Sequence, residues 1–392
     1  MLNKLLVRKN LNIIGLNSGT SADGLDLAAV SINLNSKKFR IKFMAGKTIS
    51  YPEKLHTRIY SAINNRIGSI DDVIRLDRQL GTFYASRTAA FARHLKRNKI
   101  ETHLIASHGQ TVRHLPGKVM VDRSKQSGTL QLGHPESIAA MTGLITVADF
   151  RQADIARGGE GAPITSMAMY YLFSDSRENR MLINIGGISN YFLFPGGTSF
   201  DKMHAADCGP GNSLIDIIAG RLFGKKYDRN GGLAAKGKIS RRLLTILMAD
   251  NFLKGKFGPS TGRERFGEKF ADKILKAASK LGLNKYDILA TTTELTAAAI
   301  ARAVRQKLLS YKIENIYLFG GGLKNRFLIK RLEANLEGIR FHSIRELGFN
   351  PDYLEAVCYA VMGAMTIRSI RTGIHRVTGA TRDSVAGRII QP

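Results

Sequence analysis

Cysteine is nearly absent from this chain: Cys208 and Cys358 are the only thiols in 392 residues. That excludes a disulfide framework and points to a reducing, cytoplasmic compartment. Cys208 follows Asp207 directly, yet a small buried filler is a sufficient account of it. Long apolar runs are missing too, so no membrane span is expected. The first sixteen residues are basic but lack an apolar h-region and a small-residue cleavage site, so no secretory signal is expected. No Ser/Pro-rich linker or low-complexity tract divides the sequence. Neither GxxxxGK[ST] nor an intact GxGxxG occurs, which sets aside the P-loop and Rossmann fingerprints. Paired cysteines and the HExxH spacing are also lacking, so a zinc centre has no support.

Acidic residues are scarce. The chain has 31 of them against 59 Lys and Arg, a net charge of +28. Basic runs at Arg8-Lys9, Lys37-Lys38, His94 to Lys99 and Arg368 to Arg371 are scattered along the sequence. Scatter argues for a solvated basic surface rather than one nucleic-acid groove, and no specific nucleic-acid partner is expected. Such a field does attract small anionic substrates. The length suffices for two α/β domains, each with its own core.

Glycine is plentiful and placed in turns. The run Gly15-Leu16-Asn17-Ser18-Gly19-Thr20-Ser21-Ala22-Asp23-Gly24-Leu25-Asp26 sits between two apolar segments, so strands at 12–16 and 25–30 close a β-hairpin. Gly19 and Gly24 permit positive φ, and the hydroxyls and amides crowded there form a concavity suited to a polyphosphate. An ordinary polar hairpin is the alternative for this turn alone. A second strand–turn–strand, Met181 to Phe194 with Gly186-Gly187 at its turn, suggests two related lobes facing a shared cleft. A third cluster, Gly320-Gly321-Gly322, follows a strand-like Asn315 to Leu318 and precedes a helical run, a place where α/β sheets accommodate nucleotides.

Further motifs join these: Ser107-His108-Gly109-Gln110-Thr111, Ala148 to Ala156, Gly161-Ala162-Pro163, Asn184 to Asn190, Asp207-Cys208-Gly209-Pro210-Gly211-Asn212, Ser260 to Phe266 and Val377-Thr378-Gly379-Ala380. In this order, over nearly the whole chain, they resemble the anhydro-N-acetylmuramic acid kinases of the actin, sugar kinase and Hsp70 superfamily. The resemblance implies an α/β fold of two ribonuclease-H-like (actin-like ATPase) domains flanking a nucleotide and sugar cleft. It also implies ATP and Mg²⁺ as cofactors and a sugar as the small-molecule substrate. The sequence leaves a homodimer open. Where Asn17 stands, the family usually has Met; His134 and Glu160 replace Asn and Gln, and Leu115 to Leu130 is longer and more polar than usual. A non-catalytic nucleotide- or sugar-binding relative, or a kinase for another anhydro or amino sugar, remains an alternative.

A coarse reading gives strands near 11–16, 25–34, 39–47, 103–106 and 144–148, helices near 52–64, 70–97 and 136–141, then the second hairpin and a strand ending at Asp207. Asn212 is placed to cap a helix Ser213 to Phe223. Helices follow near 237–254, 265–281, 286–309, from Asn325, and 352–370. The lobes divide near residue 170, into 1–170 and 171–392, with the C-terminal helix free to pack back on the first lobe.

The resemblance makes Asp207 the general base; locally, an Asx-turn carboxylate is the alternative. Glu355 falls in the first turn of the last helix, where Asn350-Pro351-Asp352 alone would account for an acid by capping and dipole. The family match makes Glu355 an orienter of the attacking water or of Mg²⁺, and paired Asp207 and Glu355 suit that ion. Nucleotide contacts are expected from Gly19, Thr20, Ser21, Ala22, Asp23, Gly24, Leu25 and Asp26, from Gly186, Gly187, Gly209, Gly211 and Asn212, and from Gly320, Gly321 and Gly322. Sugar contacts are expected from Ser107, His108, Gln110, Thr111, Asp149 and Arg151, with Arg151 for the lactyl carboxylate. A Ser107–His108 nucleophile pair is disfavoured, because neighbours on a strand face opposite ways. Asp154 acts electrostatically or pairs with Arg157.

Overall fold

In the computed structural model the first Gly-rich turn does join two antiparallel strands, β1 (Asn10–Ser18) and β2 (Gly24–Asn33). The structure describes the chain apart from residues 20, 21, 35–38, 122, 123, 256–260, 263 and 264, and leaves aside the side chains of 116–125. Two units form, Met1–Leu172 with Gly348–Pro392, and Phe173–Leu347. The last 45 residues do not extend the second unit: they belong to the first. Among the described residues no helix is long and apolar enough to cross a membrane.

The first unit holds a seven-stranded sheet. Its remaining strands are β3 (Arg40–Ser50), β4 (Leu104–Val121), β5 (Ser124–Leu132), β6 (Thr146–Ala148) and the C-terminal Arg388–Ile390. Three antiparallel strands, β3-β2-β1, continue into parallel β4 and β6, while β5 pairs back on β4. The sequence reading stopped β4 at Ala106 and missed its hairpin with β5. Polar residues there alternate weakly, and the ladder to β5 rather than local pattern holds them extended.

The second unit repeats the order. Strands β7 (Arg180–Ile185), β8 (Ile188–Phe194) and β9 (His204–Pro210) are antiparallel, and β10 (Asn315–Phe319) and β11 (Arg340–Ser343) run parallel beside β7. Numbered within each unit without the β5 hairpin and the C-terminal strand, both sheets read 3-2-1-4-5, with the second strand antiparallel to the first. That is the ribonuclease-H-like topology, found twice.

The helix that carries Glu355, Leu354–Ile367, is apolar all round and every residue but Glu355 is buried. It lies directly on β1: a Cβ on Gly15 would sit 1.8 Å from the Ala356 carbonyl oxygen, so only glycine admits this approach. Asn350 accepts from Asp352 N at 3.1 Å with Pro351 first in the turn that follows, so the capping reading of that segment stands. Two helix readings change. The segment 237–254 contains two short helices, Arg241–Met248 and Asn251–Lys254, the second capped by Asp250. Asn212 opens its helix as the first helical residue instead of capping it, and its side-chain amide donates to Ile185 O at 3.0 Å.

Candidate active site

The β1–β2 turn is held from behind by a buried polar chain. Tyr51 Oη donates to Ser18 Oγ at 2.8 Å and lies 2.7 Å from Tyr84 Oη. Ser18 Oγ in turn bonds Gln110 Oε1, and Gln110 Nε2 donates to Gly19 O at 3.3 Å. Burial pushes Tyr51 up to about 12 and Tyr84 well above its ordinary value, so both remain hydroxyl donors. Gln110, expected on the sugar, is fully buried and spends its amide on the turn.

Neither Gly19 nor Gly24 adopts positive φ; Ala22 does, at 53°. Gly19 has open space where a Cβ would stand, whereas a Cβ on Gly24 would lie 2.5 Å from Ile49 O. Gly24 therefore serves the packing of β2 on β3. Leu25 and Ala22 are fully buried and cannot touch a nucleotide. Asp26 accepts from Thr48 Oγ1 at 2.6 Å, and burial raises its carboxyl. Thr20 and Ser21 lie outside the described residues. Gly19, Asp23 and Gly24 remain as surface of this turn.

Arg151 is the most connected of the residues expected on the sugar. Its Nε donates to His108 Nε2 at 3.0 Å and its Nη1 to Gly161 O at 2.8 Å. His108 is buried, stacked on Tyr359 with centroids 4.4 Å apart, and depressed to about 3 by burial and then by the Arg151 charge. A neutral ring accepting at Nε2 must carry its proton on Nδ1, which lies 3.1 Å from Gly109 O. His108 is thus a bracket for Arg151. It makes no bond to Ser107, which is buried in β4 opposite Leu16. Asp149, in the left-handed region at φ 58°, accepts from Arg388 Nε at 3.0 Å, so it anchors the C-terminal strand. Thr111 accepts from Gln131 Nε2 at 3.1 Å. Asp154 does not pair with Arg157; it accepts from Gly161 N at 2.8 Å and Thr378 Oγ1 at 2.7 Å.

Glu355 retains solvent-accessible surface at the start of its buried helix. Asn17 Nδ2 donates to its Oε2 at 2.6 Å. Crowding by surrounding protein raises its carboxyl; the Asn17 bond opposes this, Asp26 adds to it, and Arg151 opposes it. Asn17 and Tyr359 were not expected here, although the Met-to-Asn departure at 17 was a visible signal.

In the second unit Asp207 lies within β9, opposite Asn190, and its Oδ2 accepts from Thr261 N at 2.7 Å. Cys208 beside it is fully buried and its thiol is pushed far up, which fits the filler reading. The second turn folds onto a helix start: Gly186 O accepts from Asn212 N at 2.8 Å, and Gly187 O from Gly211 N at 3.1 Å and Ser213 N at 3.2 Å. Gly209 takes φ 137° and Gly320 φ 88°. Gly322 packs tightly on Ile185, while Gly321 and Asn212 border a cavity of about 560 Å³. Its walls also include Asp216, Tyr227, Asp228, Arg229, Lys324 and Asn325, none of which was expected as a nucleotide contact. The turn signature Asp228-Arg229-Asn230-Gly231-Gly232 could have pointed there. Asp228 accepts from the amides of Leu233 and Ala234, at 2.8 and 3.0 Å; Arg229 and Lys324 bring positive charge to the wall, and Asp216 and Asp228 negative charge.

Two ribonuclease-H-like units in one chain are the build of the actin and sugar kinase class, here with a glycine-bordered cavity in one unit and an Arg–Glu site in the other. The family profile described as Anhydro-N-acetylmuramic acid kinase matches residues 11–392. A relative of that name from Caldanaerobacter subterraneus subsp. tengcongensis is 35% identical over 380 residues, covering 96% of each chain. One from Bacillus cereus is 34% identical over 383 residues, 97% of this chain and 99% of that one. One from Salinibacter ruber is 34% identical over 386 residues, 98% and 97% of the two chains. Among solved structures, the activator of the 2-hydroxyisocaproyl-CoA dehydratase from Clostridium difficile aligns with 91% of this chain and 96% of its own, at 11% identity and TM-score 0.41. The chain belongs to the anhydro-N-acetylmuramic acid kinase family. It is a kinase, an ATP-binding transferase acting in sugar metabolism.

Proposed function

We propose that the protein uses ATP and water to convert 1,6-anhydro-N-acetylmuramic acid into N-acetylmuramic acid 6-phosphate, as a cytoplasmic step in cell-wall recycling. Water's oxygen bonds to C1 as the C1–O6 bond breaks, O6 takes the γ-phosphoryl group, and ADP leaves. Asp207 accepts the proton that the water gives up, its carboxylate steadied by the Thr261 amide at 2.7 Å. Glu355 is assigned a water-orienting role, with Asn17 fixing its own orientation through a 2.6 Å bond.

The observation that carries the substrate is Arg151. Its described hydrogen bonds go to uncharged groups, the His108 imidazole, the Gly161 carbonyl and the Tyr359 hydroxyl, and no ion pair to it occurs among the described residues. Its charge, which also acts on Glu355, can therefore meet a further carboxylate, which the lactyl group of muramic acid supplies. On the nucleotide side, the support is the cavity bordered by Asn212, Gly321, Arg229 and Lys324, whose cations and backbone suit phosphates, with Tyr227 offering a ring face. Gly19, Asp23 and Gly24 of the first turn, and Gly186, Gly187, Gly209 and Gly211 around the second, are assigned to shaping the phosphate path. Carboxylate oxygens of the Asp207 and Glu355 type suit Mg²⁺, although no cluster of three candidate ligands occurs among the described residues. The nucleotide phosphates would then supply much of its shell, and the ion would neutralise charge on the transferred group.

The test is to incubate the purified protein with ATP, Mg²⁺ and anhydro-N-acetylmuramic acid in ¹⁸O-labelled water, and to identify the product by mass spectrometry. N-acetylmuramic acid 6-phosphate labelled at C1 is expected. No phosphorylated sugar, or an unlabelled one, overturns the reading.

A further inference from the structure

The C-terminal motif Val377-Thr378-Gly379-Ala380 has no role in the chemistry above, yet it is tied to the Arg151 loop through the hydroxyl and the carbonyl of Thr378. Thr378 ends the short helix His375–Thr378 and is 2% exposed. Its hydroxyl donates to Asp154 Oδ1 at 2.7 Å, and its carbonyl accepts from Glu160 N at 2.9 Å. Asp154, 4% exposed, places its other oxygen on Gly161 N at 2.8 Å. Gly161 O is in turn the acceptor for Arg151 Nη1, at 2.8 Å. Thr381 N adds a bond to Arg157 O at 2.9 Å. Packing closes the joint, because a Cβ on Gly159 would lie 2.2 Å from Asp154 Oδ2 and 2.9 Å from the Ala380 methyl. Ser127 Oγ holds the same loop from the β5 side, at 2.6 Å from Gly159 O.

The guanidinium is therefore gripped at two points. His108 fixes Nε from the sheet, and Gly161 O fixes Nη1 from a loop whose position depends on residues more than two hundred positions later. Between Arg157 and Gly161 the loop is Gly158-Gly159-Glu160, two glycines and an exposed acid, with no side-chain packing of its own to hold a carbonyl in place. The buried Asp154 carboxylate supplies what the loop lacks, and Thr378 completes its hydrogen bonding.

We propose that Asp154 and Thr378 are positioning residues for sugar recognition: they form a latch by which the C-terminal segment holds Gly161 O, and through it aims Arg151 at the anionic group of the substrate. This rests on the reading that Arg151 meets the lactyl carboxylate. A mere tether would lower stability and leave the ratio of sugar to nucleotide affinity unchanged. A latch acts on the sugar selectively.

The discriminating variant is Thr378→Val, which keeps the shape and deletes the hydroxyl, with Thr378→Ser as the conservative rescue. Steady-state KM for anhydro-N-acetylmuramic acid and for ATP, kcat and Tm are measured on each full-length protein. Expected for Thr378→Val is a rise in sugar KM of about tenfold, the size of one lost charge-assisted hydrogen bond, with ATP KM within about twofold. Thr378→Ser should restore the sugar KM. In an Arg151→Leu background Thr378→Val should add no further rise, since the latch acts only through that guanidinium. Should Thr378→Val not fold, Asp154→Asn, which keeps shape and one acceptor, must show the same split. An unchanged sugar KM, equal rises in both KM values, or additive effects with Arg151→Leu overturn the latch. If Arg151→Leu by itself leaves the sugar KM unchanged, the carboxylate reading fails first, and the latch with it.

Discussion

The side-chain amide of Asn17 and the carboxylate of Glu355 are joined at 2.6 Å across 338 residues of sequence. Asn17 comes from β1, and Glu355 is the only residue not buried on the helix packed over that strand. The bond stabilises the ionised form against the crowding that raises the carboxyl, with Asp26 from β2 raising and Arg151 from the loop lowering it. If turnover needs ionised Glu355, the acid limb of kcat lies above the ordinary glutamate value of 4.5, with activity rising as pH climbs through it. Asn17→Met should move that limb to higher pH, since only the deprotonated form gains from the lost donor. A limb that stays in place in the pH–kcat profile of Asn17→Met would detach Glu355 from that limb.

Asp207→Asn should fold and bind ATP normally but lose roughly 10²- to 10⁴-fold in kcat, because Asn still accepts from Thr261 N but takes no proton. Calorimetry for ATP together with single-turnover product formation separates the two effects. Near-normal turnover removes the base role.

Arg151→Leu should weaken anhydro-N-acetylmuramic acid binding by about 1.5–3 kcal/mol, the cost of a charge-assisted pair. The anhydro sugar lacking the lactyl group, anhydro-N-acetylglucosamine, should lose little further. Binding of both sugars to both proteins completes the cycle. Equal losses on the two sugars would make Arg151 part of the scaffold.

His108 carries a stability signature with a definite sign. Its folded value is depressed to about 3 from 6.5, so the unfolded chain takes up a proton at a higher pH than the folded one. The stabilisation is complete above pH 6.5 and is lost as pH falls toward 3. Over that window His108→Gln, which can still offer Arg151 an acceptor, should show a shallower decline of Tm than wild type. Parallel Tm–pH curves for the two proteins would contradict the neutral, buried assignment.

The two glycines of the first turn should separate cleanly. Gly24→Ala drives a methyl against the Ile49 carbonyl and should destabilise by roughly 1–3 kcal/mol. Gly19→Ala faces open space and should leave Tm within about 1 °C, so any loss of ATP affinity there reports on ligand approach. Denaturant melts and ATP titrations of the two variants check both statements.

Much of the fold was legible locally. Apolar runs broken by Gly-rich turns gave both hairpins, Asn350-Pro351 gave the start of the last helix, and an apolar helix bearing one acid is visible in the letters around Glu355. What sequence misplaced were residues whose roles depend on remote partners. Gln110 and His108 look like ligand contacts in a polar motif, but burial behind the turn and a neutral ring under Arg151 make them supports. Among the described residues of the first turn the left-handed one is Ala22 rather than a glycine, because tertiary packing, not intrinsic freedom, decides which residue bears that strain.

By itself the sequence determined the family and the two-lobed α/β composition, since both follow from motifs and their order along the chain, and the resemblance it carries put forward Asp207, Glu355 and Arg151 for the chemistry. Only the tertiary structure decided that the last 45 residues complete the first unit, that Asn17 grips Glu355, and that Thr378 and Asp154 hold the loop behind Arg151. The physical reason is that such bonds join atoms hundreds of residues apart, and chain order carries no information about which distant donors burial will bring to a carboxylate.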